Sequence, residues 1–430
     1  TPDEGDLGPR VRTMSETNWA GNVAYRTSRV HRPTSVAEVQ ELVSASRHVR
    51  ALGTRHAFSD VTDTSGDLVS LELLDPDVRV SADRRTVELS AGTSYARLAE
   101  ALEPHALALH NLASLPHISV GGAVATGTHG SGDRSGNLPT AVTALEIVDA
   151  QGELRRLARG DEGFEGAVVA LGALGIVVRV TLEVEPAYEV AQEIHTDLPW
   201  TTALEHLDEV LSSADSVSLF TTWQPEVVDQ VWRKSRLAPG ESYALRGDLL
   251  GAPSSPVKLH PIAHVDPVNC TEQLGVPGPW HERLPHFKAS HMPSAGEELQ
   301  SEYLVPRERA VEAIAMLRSI SSRFAGLVQV SEIRSIATDE LWLSSAYGRD
   351  TVGLHFTWFP RSVQVRKAAA EIESALAPFE ARPHWGKVFV DQGGRVPSLY
   401  PRLADFRELR AAWDPSGKFL NTFVRRHLGH

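Results

Sequence analysis

Cysteine is almost absent: Cys270 stands alone among 430 residues, so no internal disulfide, cysteine-based zinc site or redox cysteine pair can form. Basic residues are outnumbered 42 to 55, a formal net charge of −13. That balance disfavours a nucleic-acid or anionic-membrane surface and suits a neutral or cationic small substrate. Long apolar runs are missing too. The most apolar, "GAVVALGALGIVV" (166–178), is shorter than the roughly 20 residues that cross a bilayer. The opening "TPDEGDLGPR" has neither the basic region nor the apolar core of a secretory leader. Asn269-Cys270-Thr271 fits the glycosylation pattern but is therefore read as chance, and the chain is expected to be a cytoplasmic monomer. No G-x-S-x-G elbow, Walker-type loop or H-E-x-x-H is present, and "GTHGSG" (127–132) has neither the position nor the spacing of a nicotinamide-binding Rossmann fingerprint. His260 and His264 have i, i+4 spacing, but Pro261 and Pro267 argue against a helix, so no metal site is expected.

What is there is a globular composition, 42% apolar and 23% charged, at a length that suggests two or three domains. Ser35 and Glu38 are spaced as a capping box ahead of Val36, Val39, Leu42 and Val43, which predicts a helix, and "VRAL" (49–52) predicts a short strand broken at Gly53. Strands are expected at "DLVSLELL" and "RTVELSAG", a helix from Tyr95 to a stop near Pro104, and a hairpin around Ala150-Gln151-Gly152. From about residue 190 the texture changes to Trp- and Pro-bearing segments, with helices "PRERAVEAIAMLRSISSRF" and "VQVRKAAAEIESALAPF" beside strands "GLVQVSEIRSI" and "VGLHFTWFP". The expected organisation is α+β, with an N-terminal domain (1–189), an inserted α+β domain (190–384) and a tail (385–430) that returns to the first.

Chemistry concentrates in four places. The stretch "ALGTRHAFSD" (51–60) ends an apolar run in a glycine, an arginine and a histidine; His56 is open to reading as a turn residue, a metal ligand or a nucleophile that holds a cofactor. Residues 111–137 carry glycines at 121, 122, 127, 130, 132 and 136, which allow close approach and offer N–H donors, while Leu112, Leu115, Ile118, Val120 and Val124 anchor the segment. Period-two alternation puts Glu332 and Arg334 on one strand face with Val328 and Val330, and His355 with Thr357 on another. This is a set suited to a polyhydroxylated ligand; a cross-strand salt bridge on a solvated sheet would have the same spacing. In "PHWGKVF" Lys387 lies among Trp385, Val388 and Phe389, either snorkelling or functionally altered.

The run of "NWAGN" (18–22), "LGTRHAF" (52–58), "NLASLPHISVGGAVATGTHGSG" (111–132), "LGALGIV" (171–177), "NCTEQLGVPGPWHERLPHF" (269–287), "SEIRSI" (331–336), "HFTW" (355–358) and "RPHWGKVF" (382–389) resembles the bacterial alditol oxidases, which include xylitol and sorbitol oxidases, over residues 15 to 428. Those are flavoproteins with a vanillyl-alcohol-oxidase (PCMH) type of FAD domain and an inserted substrate, or cap, domain. The resemblance implies that FAD is held covalently by His56 and contacted by Ala51, Leu52, Gly53, Thr54, Arg55 and Ala57. It implies further contacts from Ser114, Ser119, Gly122, Thr126, Gly127, Thr128, His129, Val178 and His384. Substrate contacts would come from Ser114, Glu332, Arg334, His355, Thr357 and Lys387, with Arg334 and Lys387 catalytic. The implied reaction removes a hydride from the terminal CH₂OH of a polyol to flavin N5; O₂ then reoxidises the flavin, giving H₂O₂ and an aldose. In one respect the chain departs from the family: Thr54-Arg55-His56-Ala57 stands where Gly or Ser usually precedes the histidine and Ser follows it. An aldonolactone oxidase on the same scaffold, a non-catalytic carbohydrate-binding protein and a nicotinamide-linked polyol dehydrogenase are the rival readings.

Overall fold

A computed structural model describes residues 16–27, 29–291 and 297–429. The acidic opening stretch 1–10 lies outside these. The first helix, Val36–Ala45, starts as its sequence dictates: Ser35 Oγ accepts from the Glu38 N–H at 3.3 Å. The reciprocal arm of the box closes one residue early, because the Glu38 carboxylate accepts from the Thr34 N–H at 2.7 Å. Val39 and Val43 turn inward. Strands Arg29–His31, Asp67–Ser70 and Val49–Leu52 form a parallel three-stranded sheet in that order. The expected second strand is shorter than its pattern, since "LELL" turns away after Ser70.

A five-stranded antiparallel sheet follows, with Ile176–Glu183 at its centre and the hairpin of Val142–Val148 and Leu154–Ala158 at one edge. Its turn requires a residue in the left-handed region, and Gly152, at φ +81°, provides it. The core beneath these sheets also takes in Leu403, Phe406, Trp413, Phe419 and Phe423 from the end of the chain.

Arg50 ties these parts together. Its fully buried guanidinium donates to the carbonyls of Val61, Leu171, Gly172 and Phe419 at 2.5 to 3.1 Å. Those acceptors come from three distant stretches of chain, and removing the donor would leave the Leu171, Gly172 and Phe419 carbonyls without it, while Val61 keeps the Asn421 side-chain amide at 2.9 Å. Arg50→Met is expected to cost about 3 kcal/mol or more of folding stability, read as a lowered denaturant midpoint at unchanged slope. A midpoint within error of the parent would refute this role.

Between residues 189 and 383 the chain builds one eight-stranded sheet in the order Gly278–Pro279, Glu189–Pro199, Val227–Leu237, Ser216–Thr221, Val328–Ile336, Thr351–Trp358, Leu299–Pro306, Arg382–Pro383. One face is apolar. Leu219, Ile333, Val352, Leu354, Phe356 and Trp358 pack there against helices Ala310–Ile320 and Ser362–Leu376. The other face bears the polar residues. The alternation argument fails at Val328: a register shift between Val328 and Val330 turns Val328 into the helix-covered core, while Val330 stays with Phe220 and Trp232 on the polar side.

Candidate active site

A cavity of about 610 Å³ separates the first domain's loops from the polar face of the eight-stranded sheet, a size suited to a bound small molecule. His56 lies on its wall. Asn18 and Asn22, from the "NWAGN" motif, clamp the histidine loop by donating to the Ala57 and Phe58 carbonyls, each at 2.9 Å. Trp19 stacks on the imidazole, centroids 5.4 Å apart. Burial, with His117 nearby, lowers His56 to about 4 against a weaker opposing pull from the Thr54 backbone, and neither ring nitrogen has a hydrogen-bond partner of normal geometry. A neutral imidazole with two unused nitrogens is costly unless something else engages it.

The departure in this loop has a structural reading. Arg55 sits at φ +66°, a conformation glycine adopts freely and other residues adopt at a cost. The loop is held there because Arg55 pairs with Glu16 and its carbonyl accepts from the Trp19 N–H at 2.8 Å. A Cβ on Gly53 or Gly122 would come within 2.9 Å of Ser119 Oγ, so a side chain at either position would require the serine hydroxyl to turn away. Ala51, Leu52, Thr54, Ala57, Thr126, Thr128, His129 and His384 also reach the cavity. Gly127 and Val178 do not. Gly127, at φ +68°, makes the turn after helix Val120–Ala125 and faces Val169 and Asn137, whereas Val178 points into the core and its strand neighbour Val177 faces the cavity.

Strand register composes the opposite wall. Glu332 pairs with His355, and His355 pairs with Glu302, so three polar side chains from three strands form one row. Glu302 is the hub. Its carboxylate accepts from Lys387 Nζ at 2.5 Å and Arg334 Nη2 at 3.3 Å, and His129 Nε2 lies 3.2 Å away. Gly353 permits this crossing: a Cβ there would come within 2.9 Å of Glu302 Oε1. Burial alone would raise the Glu302 carboxyl, but Lys387, His129 and Arg334 outweigh it and hold it well below 4.5.

Lys387 donates also to His355 Nδ1 at 2.8 Å, which leaves the His355 proton on Nε2, 3.1 Å from Thr357 Oγ1. Burial, then the Lys387 charge, lowers His355 to about 4, so it is neutral in this role. Lys387 itself is pulled down by burial and pushed back up by Glu302, with a net lowering. Arg334 reaches Ser114 Oγ at 3.4 Å and Glu332 at 3.7 Å. Glu332 accepts from His286 Nε2 at 3.0 Å. Ser114, Glu332, Arg334, His355, Thr357 and Lys387 thus share one cavity, and Glu332 and Arg334 are buried rather than paired on a solvated face. Among the described residues His129, Glu302 and His384 bring three potential metal-ligand atoms within 4.8 Å. Two cations already neutralise Glu302, which makes the spot a poor one for a divalent ion.

The family model described as an FAD binding domain matches residues 27–158, and that described as D-arabinono-1,4-lactone oxidase matches residues 290–427. An alditol oxidase from a Streptomyces species is 46% identical over 414 residues, covering 95% of this chain and 98% of that one. The chain belongs to the alditol oxidase family. An L-gulono-1,4-lactone dehydrogenase from Mycobacterium tuberculosis is 28% identical over 96% of this chain and 99% of its own. Among solved structures, cholesterol oxidase from B. sterolicum shares the fold at a TM-score of 0.78 and 15% identity, covering 96% of each chain. The architecture is therefore the two-domain α+β one of FAD flavoproteins, and this alditol oxidase family member carries an FAD-binding domain. No helix among its described residues is long and apolar enough to cross a membrane.

Glu302, His286 and Lys234 are absent from the sequence-based set. Glu302 lies in "LQSEYLVP" (299–306), where Gln300 and Ser301 precede it and Tyr303, Leu304 and Val305 follow, so no period-two alternation singles it out. His286 lies in a loop with no periodicity to mark it.

Proposed function

We propose that this chain is an FAD-dependent oxidase of small alditols such as xylitol or sorbitol, converting the terminal CH₂OH to the aldose with O₂ reduced to H₂O₂. The observation that carries the reading is that His56 and the Lys387–Glu302–Arg334 cluster face one cavity in a chain 46% identical to an alditol oxidase. In this reading residues 1–189 and 385–430 form the cofactor domain and residues 190–384 the substrate domain, with Ser114 and Lys387 reaching the polyol from the cofactor side. His56 is the covalent attachment point, favoured by its neutral, unpartnered ring. Bound there, the flavin would accept the hydride and pass the electrons to O₂.

The protein's own residues would do the rest. Glu332 and Ser114 hold substrate hydroxyls, and a site built this way rejects analogues that lack them. Arg334 has its charge reinforced by Glu332 and Glu302 against burial and stabilises the oxygen as alkoxide character develops. Lys387, eased toward its neutral form by burial, accepts the hydroxyl proton, and Glu302 keeps its Nζ in place.

The test is acid precipitation of purified protein. Yellow colour is expected to stay with the pellet, and His56→Ala is expected to move it to the supernatant. Colour free in the unaltered protein would remove the covalent bond but not FAD binding. A colourless protein would remove the oxidase reading altogether. The match of residues 290–427 to a lactone oxidase model favours a second reading, aldonolactone oxidation in the same cavity. It would prevail if kcat/KM for a lactone exceeded that for xylitol.

A further inference from the structure

The polar wall holds two buried lysine–histidine pairs, and the mechanism above uses one. Lys387 donates to His355, which ends on Thr357. On the other side of Glu332, Lys234 Nζ donates to His286 Nδ1 at 3.1 Å and to the Leu284 carbonyl at 2.5 Å, and His286 ends on Glu332. Lys234 is on strand Val227–Leu237 and is buried, whereas His286 lines the cavity. The His286 ring is wedged edge-on against Phe220 and Trp232, with centroids at 5.4 and 5.3 Å. Its backbone N–H donates to the Ser114 carbonyl at 3.2 Å, which ties it to a second candidate substrate residue.

Burial lowers Lys234 to about 7 against the pull of Glu332, and its charged form has no lone pair; the ammonium held between the Leu284 carbonyl and His286 therefore donates to Nδ1 and places the ring proton on Nε2, facing Glu332. We propose that Lys234 is a positioning residue for polyol binding: it fixes the His286 proton on Nε2, so that Glu332 receives a hydrogen bond from behind and remains an anionic acceptor for a substrate hydroxyl. This rests on the alditol-oxidase reading. The groups facing Lys234 and His286 are Glu332, Arg334 and the Cys270 thiol; burial raises that thiol to about 11, so it is uncharged. Burial, then Lys234, lowers His286 to about 4, in keeping with a neutral ring.

Two measurements test it. In ¹⁵N-histidine-labelled holoprotein at neutral pH, the His286 signals, assigned by their loss in His286→Gln, are expected to be those of a neutral ring protonated on Nε2. A ring protonated on Nδ1 or doubly protonated overturns the proposal, and this reading needs no variant of Lys234 to fold. In Lys234→Met, the xylitol KM is expected to rise about tenfold or more while kcat changes less than about threefold, with His286 shifting to mixed tautomers. An unchanged KM with an unchanged tautomer overturns it. Failure of the unaltered protein to oxidise any alditol would instead sink the oxidase reading, a result the tautomer measurement does not depend on.

Discussion

Lys387→Met is expected to slow flavin reduction by xylitol about 10²- to 10⁴-fold, the range in which a positioned proton acceptor contributes. The substitution keeps most of the side-chain volume and removes only the amine. Glu302 retains Arg334 and His129 as partners, so the fold is expected to survive. Lys387 must be neutral to take a proton, and burial lowers it from its usual value. The rate in the unaltered enzyme should therefore rise with pH toward that lowered lysine value and then level off, and the variant should lose the rise. Anaerobic mixing with xylitol, followed through the flavin absorbance, reads both. An undiminished rate would eliminate Lys387 as acceptor or orienter.

Glu302→Gln is the second large effect, and it acts on stability and pH dependence together. The carboxylate is completely buried and is the counter-charge shared by Lys387 and Arg334. Removing it strands the buried Lys387 cation and leaves Arg334 with Glu332 alone, and breaking a buried pair in this way typically costs about 3–5 kcal/mol. The linkage has a definite sign. Glu302 is held well below 4.5 in the folded protein, so its contribution is fully present above the unfolded value of 4.5 and is lost as pH falls toward the depressed folded one. The parent should thus lose stability on acidification below about 4.5, and the variant should lose correspondingly less. In catalysis the effect runs the other way. Glu302 supports the charged form of Lys387, so its loss should move the rising limb of the rate profile to lower pH while the maximum rate falls, because Nζ is no longer held. Denaturant midpoints across pH and the pH profile of flavin reduction check the two halves. A limb displaced to higher pH would contradict the proposed coupling.

Much of the site was legible because its cues are short in range. Alternation put Glu332 with Arg334 and His355 with Thr357, since a strand's period is set by the pleat and not by its neighbours. The capping of Val36–Ala45 by Ser35 and the turn at Gly152 follow from the same local geometry. Where locality gave way, the reading slipped. The shift beside Val328 depends on how the partner strand is registered, and Val178 and Gly127 depend on which side of a wall the cavity lies. Arg55 is a departure whose explanation, the Glu16 pair, becomes visible only when the loop is closed.

The amino-acid order by itself determined most of the elements, the faces of those strands that carry no register shift, the family and the place of the histidine in the early glycine-bearing loop. Those follow from interactions among residues a few positions apart, or from the likeness of whole motifs. Tertiary structure alone decided that Glu302 would be the counter-ion of Lys387, 85 residues further on, and that Lys234 would stand behind His286, 52 residues away. Strand order in the eight-stranded sheet makes those meetings, and a buried charge persists only where the completed fold brings it a partner.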